Sequence, residues 1–257
     1  QTLSYLTPAH ELERIQSEGA MINMHRKLWS LTAKIFFVTI GLLFLSSNAL
    51  AKNSVKLYGH NILFDVYREG NRVGEHSVRF EQNASELDVV TSFELAIDIL
   101  FFRAYTFSYQ SRSQWREGEL ASISVQVDDN GEDFRFDAVR KGEVMQVKNP
   151  DGDSILPAPV FPTNHWNAAV LQEHQILNTL TGKLNQVKIV EHGKESVSTE
   201  AGKIVATRYA YTGDLDTEVW YDTQGRWVKM RFTGKDGSMI EYRCRRCQNG
   251  LIEKTKR

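Results

Sequence analysis

Two groups of residues carry the chemistry this sequence could perform: Cys244-Arg245-Arg246-Cys247 and His165-Trp166-Asn167. A C-x-x-C pair serves as a local disulfide, a redox couple or half of a zinc site. A structural zinc site takes four ligands, and with a cysteine count of 2 no second pair exists. A thioredoxin-type couple sits at a helix start in a βαβ setting, whereas Met239-Ile240-Glu241-Tyr242-Arg243 reads as a strand leading into Cys244. On a continuing strand, residues three apart lie about 10 Å apart and face opposite sides. A disulfide needs Cα atoms within about 7 Å. A Cys244–Cys247 bridge therefore requires the strand to end in a turn there.

His165 falls where Thr163 or Asn164 would cap a helix. Free N–H groups at a helix start and a nearby imidazole can bind an anion or shuttle a proton. The plainer reading makes Trp166 a core anchor and His165 a capping or surface residue. His76 lies among Glu75 and Arg79; a His–Glu pair does acid–base work, and a solvated outer sheet face explains the cluster more simply. His60, His174 and His192 have no partner at ligand spacing, so neither metal nor cofactor is expected. No G-x-S-x-G elbow occurs. Asp128-Asp129-Asn130-Gly131-Glu132 and Asn149-Pro150-Asp151-Gly152-Asp153 lack a twelve-residue calcium loop and read as turns. No catalytic residue is assigned.

The elements that must position these groups are strands. Asn61–Arg68, Arg72–Glu81, Glu86–Ile99, Ala104–Trp115, Leu120–Asp128, Glu132–Val139 and Glu143–Lys148 alternate with turns rich in Gly and Asn. After residue 180 come Asn185–Glu191, Glu195–Thr199, Ile204–Thr212, Thr217–Asp222, Trp227–Thr233 and Ser238–Arg243. The expected fold is mainly β. A single antiparallel meander of 11–13 strands forms a curved sheet, half-barrel or barrel. One insert interrupts it at residues 149–180, where Pro157, Pro159 and Pro162 stiffen an extended stretch. A helix is predicted from His165 to Asn178, with Trp166, Val170, Leu171 and Leu177 as its apolar stripe.

Tyr105, Phe107 and Tyr109 share one strand face, and Phe93, Leu95, Ile97 and Ile99 share a face of the preceding strand. Between these strands, Leu100-Phe101-Phe102 breaks alternation without any turn former. Some of it should sit at a hairpin end with apolar groups outward, as a binding or membrane-facing patch, unless the insert covers it.

The charged residues nearly balance, at net −1, so nucleic-acid binding has no electrostatic support. Met24-His25-Arg26-Lys27, the apolar run Ile35–Leu45 and Ala49-Leu50-Ala51 form the n-, h- and c-regions of a signal peptide. The run is shorter than the roughly 20 residues a spanning helix needs. The expectation is a signal peptide at 21–51, cleaved before Lys52, with retained anchoring as the alternative. Residues 1–20 are expected to lie upstream of the translation start, at Met21 or Met24. Residues 52–257 then form one β-rich domain, exported to the periplasm of a Gram-negative bacterium. That oxidising setting permits a disulfide.

Asp65-Val66-Tyr67 with Gly74-Glu75-His76, Phe101-Phe102-Arg103-Ala104-Tyr105, Ser113–Gly118, Thr163–Asn167, Glu218–Asp222 and Gly225–Lys229 occur together. In these pieces the chain resembles a family of exported bacterial proteins, the domain of unknown function numbered 6134. It is more distantly similar to the exported family numbered 3108. The resemblance implies an exported β-rich fold and supplies no activity, so no catalytic residue is carried over. A looser similarity is to the LolA/LolB-like lipoprotein carriers, half-barrels of about eleven strands that hold acyl chains beneath a helical lid. No N-terminal helix is evident before the first strand here.

The leading expectation is an envelope protein that binds a lipid or apolar small molecule, with peripheral membrane contact. Tyr105, Phe107, Tyr109, Phe101, His165 and Trp166 are the candidate ligand-binding residues. A cavity enzyme with a His–carboxylate pair and a scaffold with a filled core are the alternatives. Oligomeric state is left open.

Overall fold

A computed structural model describes residues 54–83, 85–99 and 102–248. The signal-peptide segment, and Leu100 and Phe101, lie outside the described residues. A short helix α1 (Ser54–Tyr58) precedes β1 (Asn61–Arg68), where the sequence shows no helix signal. It is five residues long, too short for a periodicity to register. Six strands follow in turn: β2 (Asn71–Asn83), β3 (Glu86–Ile99), β4 (Phe102–Arg116), β5 (Glu119–Asp129), β6 (Glu132–Lys141) and β7 (Val144–Lys148). The insert holds β8 (Ser154–Pro157), β9 (Phe161–Pro162) and β10 (Gln175–Leu177). The last five are β11 (Leu184–Thr199), β12 (Gly202–Gly213), β13 (Thr217–Asp222), β14 (Trp227–Thr233) and β15 (Met239–Arg246).

The fold is mainly β, as expected. All strands join one sheet, in the order β8-β7-β6-β5-β4-β3-β2-β1-β15-β14-β13-β12-β11-β10-β9. The 15 strands exceed the expected 11–13. The surplus comes from the short strands of the insert, too brief to show alternation. Conversely, Asn185–Glu191 and Glu195–Thr199 are one strand, β11, bent at a register irregularity between Glu191 and Lys194. Pairing is antiparallel except between β9 and β10. The sheet stays open, but β8 and β9 at its two edges are consecutive in the chain. Pro157, Pro159 and Pro162 at this corner remove ladder donors, which protects an exposed edge.

Curling brings distant turns together. Lys235, between β14 and β15, places its Nζ 2.9 Å from Asp129 Oδ2 at the end of β5. Alternation decides which side chains face inward. Register aligns Phe64, His76, Phe93, Tyr109, Val127 and Phe134 in one row across β1 to β6. Gly74 makes close strand approach possible: a Cβ there would meet the Glu94 carbonyl oxygen at 2.1 Å.

The insert fills the concave side, but its predicted helix is absent. Residues Ala168–Gln172 form a 3-10 turn capped by Asn167, and Gln175–Leu177 is strand. Tertiary partners replace the helical bonds. Tyr221 donates to the His165 carbonyl at 2.7 Å, and Tyr58 to the Trp166 carbonyl at 2.9 Å. The Leu177 carbonyl accepts from the Thr163 N–H. These bonds hold the segment in its folded course. The apolar stripe still docks: Trp166, Val170 and Leu177 are buried, and Leu171 is half-buried. Among the described residues, no helix is long and apolar enough to cross a membrane.

Candidate functional site

β4 carries the predicted aromatic face, and burial rises along it. Tyr105 and Phe107 are half-buried, while Tyr109 is 6% exposed. Tyr105 donates to Asp129 Oδ1 at 2.6 Å. Burial, then this carboxylate, pushes its phenol well above the usual range. Phe107 packs on Phe93 with ring centroids 5.4 Å apart. The Tyr109 hydroxyl lies near Ser111, Thr179 and Asn164 without a well-aligned hydrogen bond to any.

His165 and Trp166 belong to the same interior. Trp166 meets Trp115 edge-on at 5.1 Å and Phe80 at 5.3 Å, so it is a core anchor. His165 is not a surface or capping residue: it is 5% exposed, 5.4 Å from the Tyr211 ring and 5.7 Å from that of Trp227. Asn167 performs the capping, accepting the Ala169 N–H at 3.1 Å.

His76 also differs from expectation. It faces inward, among Phe64, Phe93, Trp227 and Tyr242. The signal was available, because His76, Val78 and Phe80 alternate on one face. Burial holds His76 at about 3, with His165 adding to the effect, and burial holds His165 at about 4. Both imidazoles are neutral at pH 7, and the Nδ1 of each lacks a protein hydrogen-bond partner. Glu75 points to the opposite face and pairs with Arg245. The His76–Glu75 acid–base pair is therefore not assembled. Sequence reading missed Tyr58, whose hydroxyl accepts the Trp227 N–H at 2.7 Å while donating to Trp166.

On the outer face of the same strands, a cleft of about 470 Å3 is bordered by Glu75, Glu94, Ala96, Thr106, Ser108 and Asp128, with Arg72 and Arg103 on its rim. Phe102, beside it on the β3–β4 hairpin, is 76% exposed. This matches the outward apolar group expected there, although Phe101 itself lies outside the described residues. A second cleft of similar volume lies on the outer face between Asp88, Arg112, Gln114 and Asp137.

Cys244 and Cys247 are bridged, with Cα atoms 5.9 Å apart. β15 ends at Arg246, and the required turn forms there. The turn is held from the β11–β12 connection, where Glu200 Oε1 accepts the Cys247 and Gln248 N–H groups, each at 2.7 Å.

A family model described as "Domain of unknown function (DUF6134)" matches residues 64–245. In structure the chain is similar to a β-barrel-like protein of domain of unknown function DUF1849 from Brucella abortus. The TM-score is 0.54 at 12% identity, over 75% of this chain and 98% of that one. No curated protein matches in sequence.

Proposed function

The chain belongs to this family, Domain of unknown function (DUF6134), and for it we propose an exported envelope protein that binds an amphiphile along the inward aromatic face of β3 and β4. The observation that carries this reading is the apolar surface left open at the hairpin end of that face. Phe93, Tyr105 and Phe107 are only half-buried there, and Phe102 on the adjoining hairpin is 76% exposed. Export is supported by the n-, h- and c-regions ending at Ala51. The bridged cysteines agree with an oxidising compartment.

A fluorescent fatty-acid probe tests the reading on residues 52–257. Binding should be saturable. It should weaken in Phe107→Ala, which removes apolar surface, and in Phe102→Asp, which places a charge at the exposed end of that face. Far-UV circular dichroism should stay unchanged in both. A folded protein that takes up no probe, and carries no co-purified lipid in native mass spectrometry, refutes it.

A second reading, a scaffold with a filled core, is favoured by the packing of the insert. Trp115, Trp166 and Trp227 fill the concave side and are each at most 2% exposed. Under that reading no variant changes probe uptake.

A further inference from the structure

We propose that Glu200, Cys244 and Cys247 form a redox-gated site for a thiophilic divalent cation, empty of metal as the disulfide and open to it as the dithiol. One ligand atom from each of the three lies within 4.8 Å of the others. Sequence spacing supplies two of the donors. The fold supplies the third from a connection more than forty residues earlier.

The placement of Glu200 is the telling feature. Its Oε1 is fixed by two N–H groups, so the carboxylate cannot swing freely. Its Oε2 is thereby held 2.7 Å from Cys244 Sγ. A disulfide sulfur has no proton to donate, and it accepts only weakly. The bridged state therefore gives that oxygen nothing to bind. Reduction changes this: a thiol can donate to the carboxylate, and a cation can bridge oxygen and sulfur. Two thiolates and one carboxylate are a zinc-type donor set, with Zn–S near 2.3 Å and Zn–O near 2.0–2.2 Å, and solvent completes the tetrahedron. Cys247 is buried, whereas Cys244 and Glu200 are half-exposed, which leaves the solvent side open.

The chemistry balances with a dithiol reductant. That reductant gives two electrons and two protons to the Cys244–Cys247 bond and closes to its own disulfide. The cation then displaces both thiol protons into solvent as the two metal–sulfur bonds form. Binding thus favours the reduced state and rises with pH.

Cobalt(II) is the probe. The protein is reduced anaerobically with a water-soluble phosphine, which leaves as its oxide, and titrated with Co2+ beside an unreduced sample. The reduced protein should show a sulfur-to-cobalt charge-transfer band saturating at one equivalent, bleached by Zn2+. The oxidised protein should show none. Cys247→Ser should lose the band. Glu200→Gln, which keeps both thiols, should bind at least about tenfold more weakly. Equal cobalt spectra from oxidised and reduced protein overturn the site, and undiminished binding in Glu200→Gln overturns the role of the carboxylate. The unreduced sample needs no substitution, so the test holds even if a variant fails to fold.

Discussion

Mild acid should destabilise this fold through two imidazoles. Unfolded histidines titrate near 6.5, whereas burial holds His76 at about 3 and His165 at about 4. The rings packed against the two imidazoles are phenols, indoles and phenyls, and burial is the main cause in each, with His165 adding to it at His76. Between pH 6.5 and 4 the unfolded chain therefore binds two protons that the folded chain refuses. Stability is complete above about pH 6.5 and is lost as pH falls toward the folded values. At about 1.36 kcal/mol per unit and group, 1.5 units of acidification to pH 5 costs about 2 kcal/mol per histidine, or about 4 kcal/mol in all. Unfolded carboxylates titrate near pH 4, below the pH 7 to 5 range of the measurement. Urea unfolding with the disulfide intact, at pH 7, 6 and 5, measures the loss. His76→Phe should roughly halve the pH slope, and His76→Phe with His165→Leu should flatten it. A wild-type stability unchanged from pH 7 to 5 would show that the two rings reach solvent, contrary to the packing described.

Trp166→Ala should cost about 3–5 kcal/mol in thermal or urea unfolding, because the ring is wedged between Trp115 and Phe80; a near-zero change would show that the insert does not dock. Gly74→Ala should cost about 1–3 kcal/mol, since its methyl meets a backbone carbonyl; unchanged stability would contradict the close approach of β2 to β3. Replacing Ala49 and Ala51 with bulky residues should leave an unprocessed precursor on immunoblots, and normal processing would rule out cleavage before Lys52.

Long strands were legible where alternation was strict. Tyr105, Phe107, Tyr109 and Trp115 share a phase, and β4 faces as read. Turns bearing Asn130-Gly131 were equally clear, because both residues take positive φ. The insert was not legible as drawn. Trp166, Val170 and Leu177 do converge on the core, but spacing alone cannot tell a helix from a folded loop whose carbonyls are bound by tyrosines far along the chain. His76 was misplaced because its polarity outweighed its phase with Val78 and Phe80. Glu200 was invisible as a neighbour of the cysteines, because a long hairpin delivers it.

The pairing of β1 with β15 has a consequence for how the molecule is made. Phe64 lies opposite Cys244, and Arg68 opposite Ile240. β1 thus leaves a ribosome or a translocation channel well before β15, and waits for it before both its edges are bonded. Every other neighbour in β1 to β7 follows directly in the chain and can join as it emerges. Until β15 arrives, β1 presents a free row of N–H and C=O groups, a template for pairing with another copy. Such distant closure also slows folding. Truncation within Met239–Arg246 would leave that edge open permanently, so β15 guards β1 against self-association.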